Sequence, residues 1–383
     1  MLAINWHSGL SAALYSGGGR RARAILGGLA RRGHRIHVVD VAPSVTDGLA
    51  EIASTRTMPS WLRPRLAETS SVEKAAALAY GSIRLSHLAR DAARRIHPDV
   101  VYVPAAELLP ALLAGLRASR TSTRPVPLAA CATTIVRWKP HGADVMLHLV
   151  RRLLRQATAT IVLGPVVAQK LASEGFPGRV LVGLTGVDRS PTLSGPETDR
   201  RLFFLSRVVP EKGVADALVA FARIPTRHGA VLEIRGSGTA RDWRRVEALG
   251  SELGLTDSLR LGGTIGTDSE KWKLLAESWA FIAPSYMEHF GIAVREALSA
   301  GLPAVIYDLP PFDDLRGHPG LFAVPLGDVA SLSQAVQRVL RLTPGERSAL
   351  IAAGRELSVG PTWHEAVERE EQLLLEIAAT RPD

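Results

Sequence analysis

One cysteine, Cys131, stands in 383 residues, so no disulfide closes within the chain. A reducing, cytoplasmic setting is the expectation that follows. No group of Cys and His has the spacing of a zinc site. No apolar run reaches the length that crosses a bilayer. The opening MLAINWHSGLSAALYSGGG lacks the basic start and long apolar centre of a secretory signal, so none is expected. There is no GxGxxG fingerprint, no Walker loop ending in GK[ST], and no Asp-x-Asp pair. Few aromatics interleave with the dispersed arginines, which weakens a nucleic-acid reading.

What is present suits two domains. A chain of 383 residues exceeds what one ordinary core organises. The charge is uneven. Residues 1–195 hold 25 Lys+Arg and 11 Asp+Glu, a balance of +14; the rest hold 21 and 26, a balance of −5, and the two sum to +9. A first half this basic attracts phosphate-bearing surfaces. A compositional bias that places Arg on solvated faces accounts for the same numbers.

Short β-rich runs alternate with helical patterns, the signature of parallel βαβ units. Runs 2–7, 35–41, 98–104, 127–133, 159–164 and 179–184 read as strands in the first half. The second half restarts the pattern at 201–207, 231–238, 258–263, 280–285 and 303–308. The Pro/Gly/Ser stretch SPTLSGPETD (190–199) reads as a linker. Two Rossmann-like domains with parallel sheets and a cleft between them are therefore expected. Residues 44–97 form a long insertion. Ser70 and Glu73 make a capping-box signature there, and Leu78, Leu85, Leu88, Ala92 and Ile96 recur at helical spacing among Arg84, Arg94 and Arg95. With SWLRPRL (60–66) upstream, this basic amphipathic stretch suits either a membrane surface or packing on its own sheet.

Four segments carry groups suited to chemistry. In SYMEHFGIAVREALSAG (285–301), Glu288 follows a strand and Glu296 lies eight positions on, inside a helix opened by Gly291. Ligands of open α/β sheets bind at that carboxyl edge, and a helix N-terminus stabilises a phosphate. If wholly helical, the step between the two glutamates spans roughly 12 Å, the scale of a nucleotide sugar. Pairing of Glu296 with Arg295 or another neighbour is the plainer alternative. In SRVVPEKG (206–213), Arg207 ends a strand and Lys212 opens the next helix, so both can face a diphosphate. Gly17, Gly18 and Gly19 follow the first strand, in a context that suits close approach of backbone to phosphate. IRGSG (234–238), with Gly236, is a second glycine turn after a strand.

The order and spacing of these segments resemble those of the family-4 glycosyltransferases (group 1), retaining enzymes of the GT-B fold, and in particular their mannosyltransferase-type members. TGVD (185–188) is similar to the family's usual NGVD, and PTWHEAVEREEQLLLEIA (361–378) resembles its last helix, which crosses back to the first domain. The resemblance implies an acceptor-binding domain over 1–192, a nucleotide-sugar domain over 197–360, and the returning helix over 361–383. It implies that Arg207 and Lys212 bind the donor diphosphate, that Glu288 meets sugar hydroxyls, and that Glu296 meets the ribose. Backbone N–H groups around Phe290, Gly291 and Ile292 would hold sugar and phosphate, and Gly17 and Gly18 would approach the diphosphate. No metal or other cofactor is implied. EHFGI occurs among members that use GDP-mannose; UDP-sugars stay open.

One departure stands out. Many members carry a His after the strand that here reads PLAACATTI (127–135), where this chain has Ala132, Thr133 and Thr134; His141 follows later. The expected activity is hexosyl transfer to a lipid-linked or glycan acceptor at the inner membrane face. A soluble small-molecule acceptor and a catalytically silent nucleotide-sugar binder are the alternatives. FDDL (312–315) reads as a loop acid pair.

Overall fold

The computed structural model describes residues 1–4, 17–40, 54–57, 71–106, 109–121, 125–132, 145–189, 200–225, 229–355 and 357–380. They divide into two compact units: Met1–Gly186 with Pro361–Asp383, and Val187–Gly360.

The first unit is built on a seven-stranded sheet. Its strands are β1 (Leu2–Ile4), β2 (His37–Asp40), β3 (Ser54–Thr57), β4 (Val101–Val103), β5 (Leu128–Ala132), β6 (Ala159–Leu163) and β7 (Val180–Gly183). They lie in the order β3-β2-β1-β4-β5-β6-β7 and every pairing is parallel. Helices α1 (Gly17–Arg31), α2 (Ser71–Ile96), α3 (Leu109–Ser119), α4 (Val145–Leu154) and α5 (Pro165–Ser173) belong to the same unit. Strands covered on both faces need continuous apolar runs, and β5 (LAACA) and β6 (ATIVL) are buried at every position. Strand β3 lies within the segment read from sequence as an insertion. Its STRT sequence has no apolar alternation that would announce it.

The second unit repeats the plan with six strands. These are β8 (Arg201–Leu205), β9 (Val231–Arg235), β10 (Leu259–Gly263), β11 (Ala280–Ala283), β12 (Ala304–Tyr307) and β13 (Leu321–Val324), in the order β10-β9-β8-β11-β12-β13, again all parallel. Its helices are α6 (Val214–Ala222), α7 (Ala240–Glu252), α8 (Asp268–Ala276), α9 (Ile292–Ser299), α10 (Val329–Leu340) and α11 (Pro344–Arg355). Strand β13 escaped the sequence reading because LFAV is short and only its last residue is buried.

The last helix, α12 (Trp363–Ala379), belongs to the first unit. Thr362 and Glu365 form a capping box at its start, each side chain meeting the other's backbone N–H. Gly186 packs so closely on the helix start that a Cβ there would stand 2.5 Å from the Trp363 Cα. Val367, Leu373, Leu374 and Ile377 join the core under β5 and β6 with Ile25, Leu26 and Leu29 of α1. Each such buried side chain contributes about 1.5–3 kcal/mol.

Between α1 and α12 lies a buried polar knot. Arg21 is 1% exposed and Glu370 fully buried, and their side chains meet at 2.6 Å. Arg21 also donates to the Leu184 carbonyl at 3.1 Å, to the Tyr102 hydroxyl at 3.2 Å and to the Cys131 Sγ at 3.2 Å. Tyr102 in turn donates to the second oxygen of Glu370 at 2.6 Å. Burial opposes the Arg21 charge, but Cys131, Glu370 and Tyr102 outweigh it and hold the guanidinium pKa above its ordinary range.

Candidate active site

In an open parallel sheet the strand order reverses at one point, and the loops leaving the carboxyl ends of the two flanking strands diverge to leave a crevice. In the second unit that point lies between β8 and β11. The segments leaving those strands are 206–213 and 284–291, the two stretches that the sequence reading marked for a diphosphate and a sugar. Topology alone therefore makes neighbours of residues more than seventy positions apart.

The contact is direct. Lys212 Nζ lies 2.5 Å from Glu288 Oε1 and donates to the Met287 carbonyl at 3.1 Å. Both side chains are mostly covered, at 13% and 17% exposure, so the pair is weakly screened by solvent. Lys212 closes a single 3-10 turn, Pro210–Lys212, whose proline fixes the entry. Gly213 follows with φ 68°, and a Cβ there would fall 1.9 Å from the Pro284 carbonyl oxygen. Only glycine lets the two loops touch this closely. Arg207 also leaves β8 but is exposed, and none of the described residues forms an ion pair with its guanidinium. Gly236, at the end of β9, has φ 144°, and a Cβ would meet the Ser206 carbonyl oxygen at 1.6 Å.

Two helices start at this edge, and neither has a side-chain cap. Gly213 precedes α6 and Gly291 precedes α9, each in the left-handed conformation. By contrast, Thr239, Thr267 and Asp328 cap α7, α8 and α10 with side-chain oxygens. The orphan N–H groups of a helix start accept an anion where no side chain serves them. Ile292 is thus the first helical residue behind a glycine, with Phe290 just before it.

His289 is buried beside the pair. Burial pushes its pKa down to about 4; the Lys212 charge adds to the fall, and Glu288 partly opposes it. The imidazole is neutral near pH 7. The loop is pinned on both sides of Glu288. Tyr286 donates its N–H to the Glu211 carbonyl at 2.9 Å and its hydroxyl to Asp216 at 2.6 Å. Tyr307 donates to the same Asp216 oxygen at 2.6 Å. Burial and the Asp216 contact push Tyr286 up to about 12, so it remains a donor. On the other side, Arg295 donates to the Phe290 carbonyl at 2.8 Å, and its guanidinium lies 4.2 Å from the centre of the Phe290 ring.

Arg295 does not pair with Glu296. It is held by both oxygens of Asp314 at 2.8 Å and by the carbonyls of Pro311 and Val359. The FDDL acids thus divide: Asp314 anchors Arg295, while Asp313 meets Arg316. Glu296 pairs with Lys271 at 2.7 Å, both side chains being 5% exposed or less. Sequence reasoning missed Lys271, Asp216 and Tyr286, and named Arg295 only as a partner for Glu296. Asp216 had one signal, a carboxylate within the otherwise apolar VADALVAFA, whereas Lys271, in DSEKWKLLA, stood among other charged residues and had none. Gly17 and Gly18 lie in the first turn of α1, so the glycine run opens the helix and does not form a free loop. Ser16, Ser70, Thr133, Thr134 and His141 lie outside the described residues. Among the described residues, no three His, Cys, Asp or Glu side chains gather in a way that would hold a metal ion.

Two parallel α/β units of this kind make up the GT-B fold of glycosyltransferases. The Anabaena Alr3699/HepE structure in complex with UDP and glucose superposes with a TM-score of 0.73 at 16% identity, over 97% of this chain and 99% of that one. Residues 15–190 match Glycosyltransferase Family 4, and residues 190–357 match Glycosyl transferases group 1. The chain belongs to this family, the group 1 glycosyltransferases of family 4. Glycogen synthase of Mycobacterium tuberculosis is 26% identical over 98% of this chain and 94% of its own length. Phosphatidyl-myo-inositol mannosyltransferase of Mycobacterium leprae is 31% identical over 46% of each.

Proposed function

We propose that this glycosyltransferase moves a hexose from a nucleoside-diphosphate sugar, GDP-mannose or a UDP-sugar, to a lipid-linked or glycan acceptor. It does so with retention of configuration and without a metal ion. The observation that carries the reading is the Lys212–Glu288 pair at the switch point, beside two helix starts capped only by glycine. In this reading Lys212 and Arg207 neutralise the diphosphate, and the uncapped N–H groups behind Gly291 take up the remaining negative charge. Glu288 accepts from sugar hydroxyls while Lys212 holds its other side. Glu296 accepts from the ribose, and Gly236 keeps the β9 turn flat enough for a nucleotide to approach. Neutral His289 adds a hydrogen-bonding group without adding charge.

Calorimetric titration with UDP and with GDP, both in EDTA, tests the donor site. Binding of one of them is the expected result and names the base. Binding of neither overturns the donor-site assignment.

The lipid-linked acceptor is supported by the outer face of α2. Tyr80, Ile83, Arg84, His87, Arg90 and Arg94 are all exposed on it. Apolar and basic side chains on one face suit an anionic bilayer. No helix among the described residues is long and apolar enough to cross a membrane, so attachment would be at the surface. Sedimentation with phosphatidylglycerol vesicles is expected at low salt and is expected to fall as salt rises. No sedimentation at any salt would favour the soluble acceptor.

A further inference from the structure

Lys271 sits on α8, after β10, and Glu296 on α9, after β11. Both are buried, and the Lys271 ammonium lies 2.7 Å from Glu296 Oε1. The same ammonium is 3.4 Å from Asp268 and 3.9 Å from Asp188, which are 64% and 32% exposed. It also lies 4.4 Å from the centre of the Trp272 ring. Three carboxylates thus converge on one cation. Two of them have water to stabilise their charge; Glu296 does not.

Other charged groups nearby face elsewhere. Arg295, next to Glu296 in sequence, is committed to Asp314 and three carbonyls. Glu270 of α8 is turned to Arg235 and to the Gly266 N–H. Arg347 of α11 donates to the carbonyls of Ser278 and Trp279. Ser299 donates to the backbone carbonyls of Glu296 and Asp188, not to a carboxylate.

We infer that Lys271 is a positioning residue for nucleotide recognition: it is the cation that keeps buried Glu296 ionised and oriented as the acceptor for the donor's ribose hydroxyls. The inference rests on the proposed role of Glu296. A carboxylate taken out of water without a cation takes up a proton, and a protonated carboxyl is a poorer acceptor. A lysine that served only to glue α8 to α9 would have no such consequence for the ligand.

The test is the pH dependence of nucleotide affinity in Lys271→Met and Lys271→Gln, with whichever of UDP and GDP binds the wild type. Wild-type affinity is expected to vary little between about pH 7 and pH 9. Both variants are expected to bind about ten- to a hundred-fold more weakly at pH 7 and to recover toward wild type as pH rises and Glu296 ionises. Lys271→Arg keeps the charge and is expected to keep the flat profile. The double variant Lys271→Met with Glu296→Gln is expected to bind weakly at every pH, because nothing remains to titrate. An equal loss at all pH values in Lys271→Met, or no loss, overturns the inference. So does unfolding of both Met and Gln variants, which would assign Lys271 to stability alone. Wild-type binding that survives Glu296→Gln unchanged would instead strike the ribose role of Glu296 itself.

Discussion

Lys212→Ala is expected to lower turnover by about a hundred- to a thousand-fold, the range found when one preorganised donor to a developing negative charge is removed. The ammonium is already in place before any substrate arrives. Glu288 and the Met287 carbonyl fix it from one side, and the 3-10 turn fixes its stem from below. In the proposed donor site it would therefore need little reorganisation as charge builds on the leaving diphosphate. At 13% exposure it acts in a medium far less polarisable than water. Loss of an interaction that strengthens on the way to the transition state lowers kcat more than it raises KM. That split is the measurement. A rise in KM alone would mean that Lys212 only binds the donor. Turnover at the wild-type rate would mean that it merely steadies Glu288. The folded unit should survive the change, since Glu288 is 17% exposed and retains some solvent.

Glu370→Ala is expected to destabilise the first unit by roughly 3–5 kcal/mol, because it strands a buried guanidinium that cannot shed its charge. Arg21 would keep Leu184, Tyr102 and Cys131 as hydrogen-bond partners but lose the one carboxylate it meets among the described residues. Tyr102 would lose its acceptor as well. For a unit near 200 residues, each kcal/mol moves the midpoint by about 2–4 °C, so a fall of about 6–20 °C is the thermal readout. Replacing both charges, as Arg21→Met with Glu370→Leu, should cost much less than either single change, because no unpaired charge is left behind. A double variant no more stable than Glu370→Ala would show that shape, not charge, holds this junction. Nucleotide affinity offers an independent control, since neither residue lies in the unit that carries Lys212 and Glu288.

The two glutamates show how far sequence reached. Glu288 was legible because its signals are local: a strand, a loop at its carboxyl edge, and a glycine that lets a helix begin. Lys212 was legible for the same reason. That the two touch at 2.5 Å was not, because contact between loops 76 residues apart follows from which strands are neighbours in the sheet. For Glu296 the helix that carries it was legible, but its partner was not. Arg295 was adjacent and plausible on charge alone. On a helix, however, consecutive residues point about 100° apart, and the packing sends Arg295 to Asp314 and Glu296 to Lys271, 25 positions earlier.

The sequence by itself determined the alternation of strands and helices, the glycines at the turns, and the cation and carboxylates that leave the strands at one edge. Each rests on preferences of a few neighbouring residues, which any chain displays before it folds. Tertiary structure alone decided that Asp216 would hold two tyrosines and that Arg21 would meet Glu370 across 349 positions. It also decided that one buried lysine would face three acids. A buried charge has no local signature; its partner is whichever opposite charge the packed sheets and helices bring within reach once water is gone.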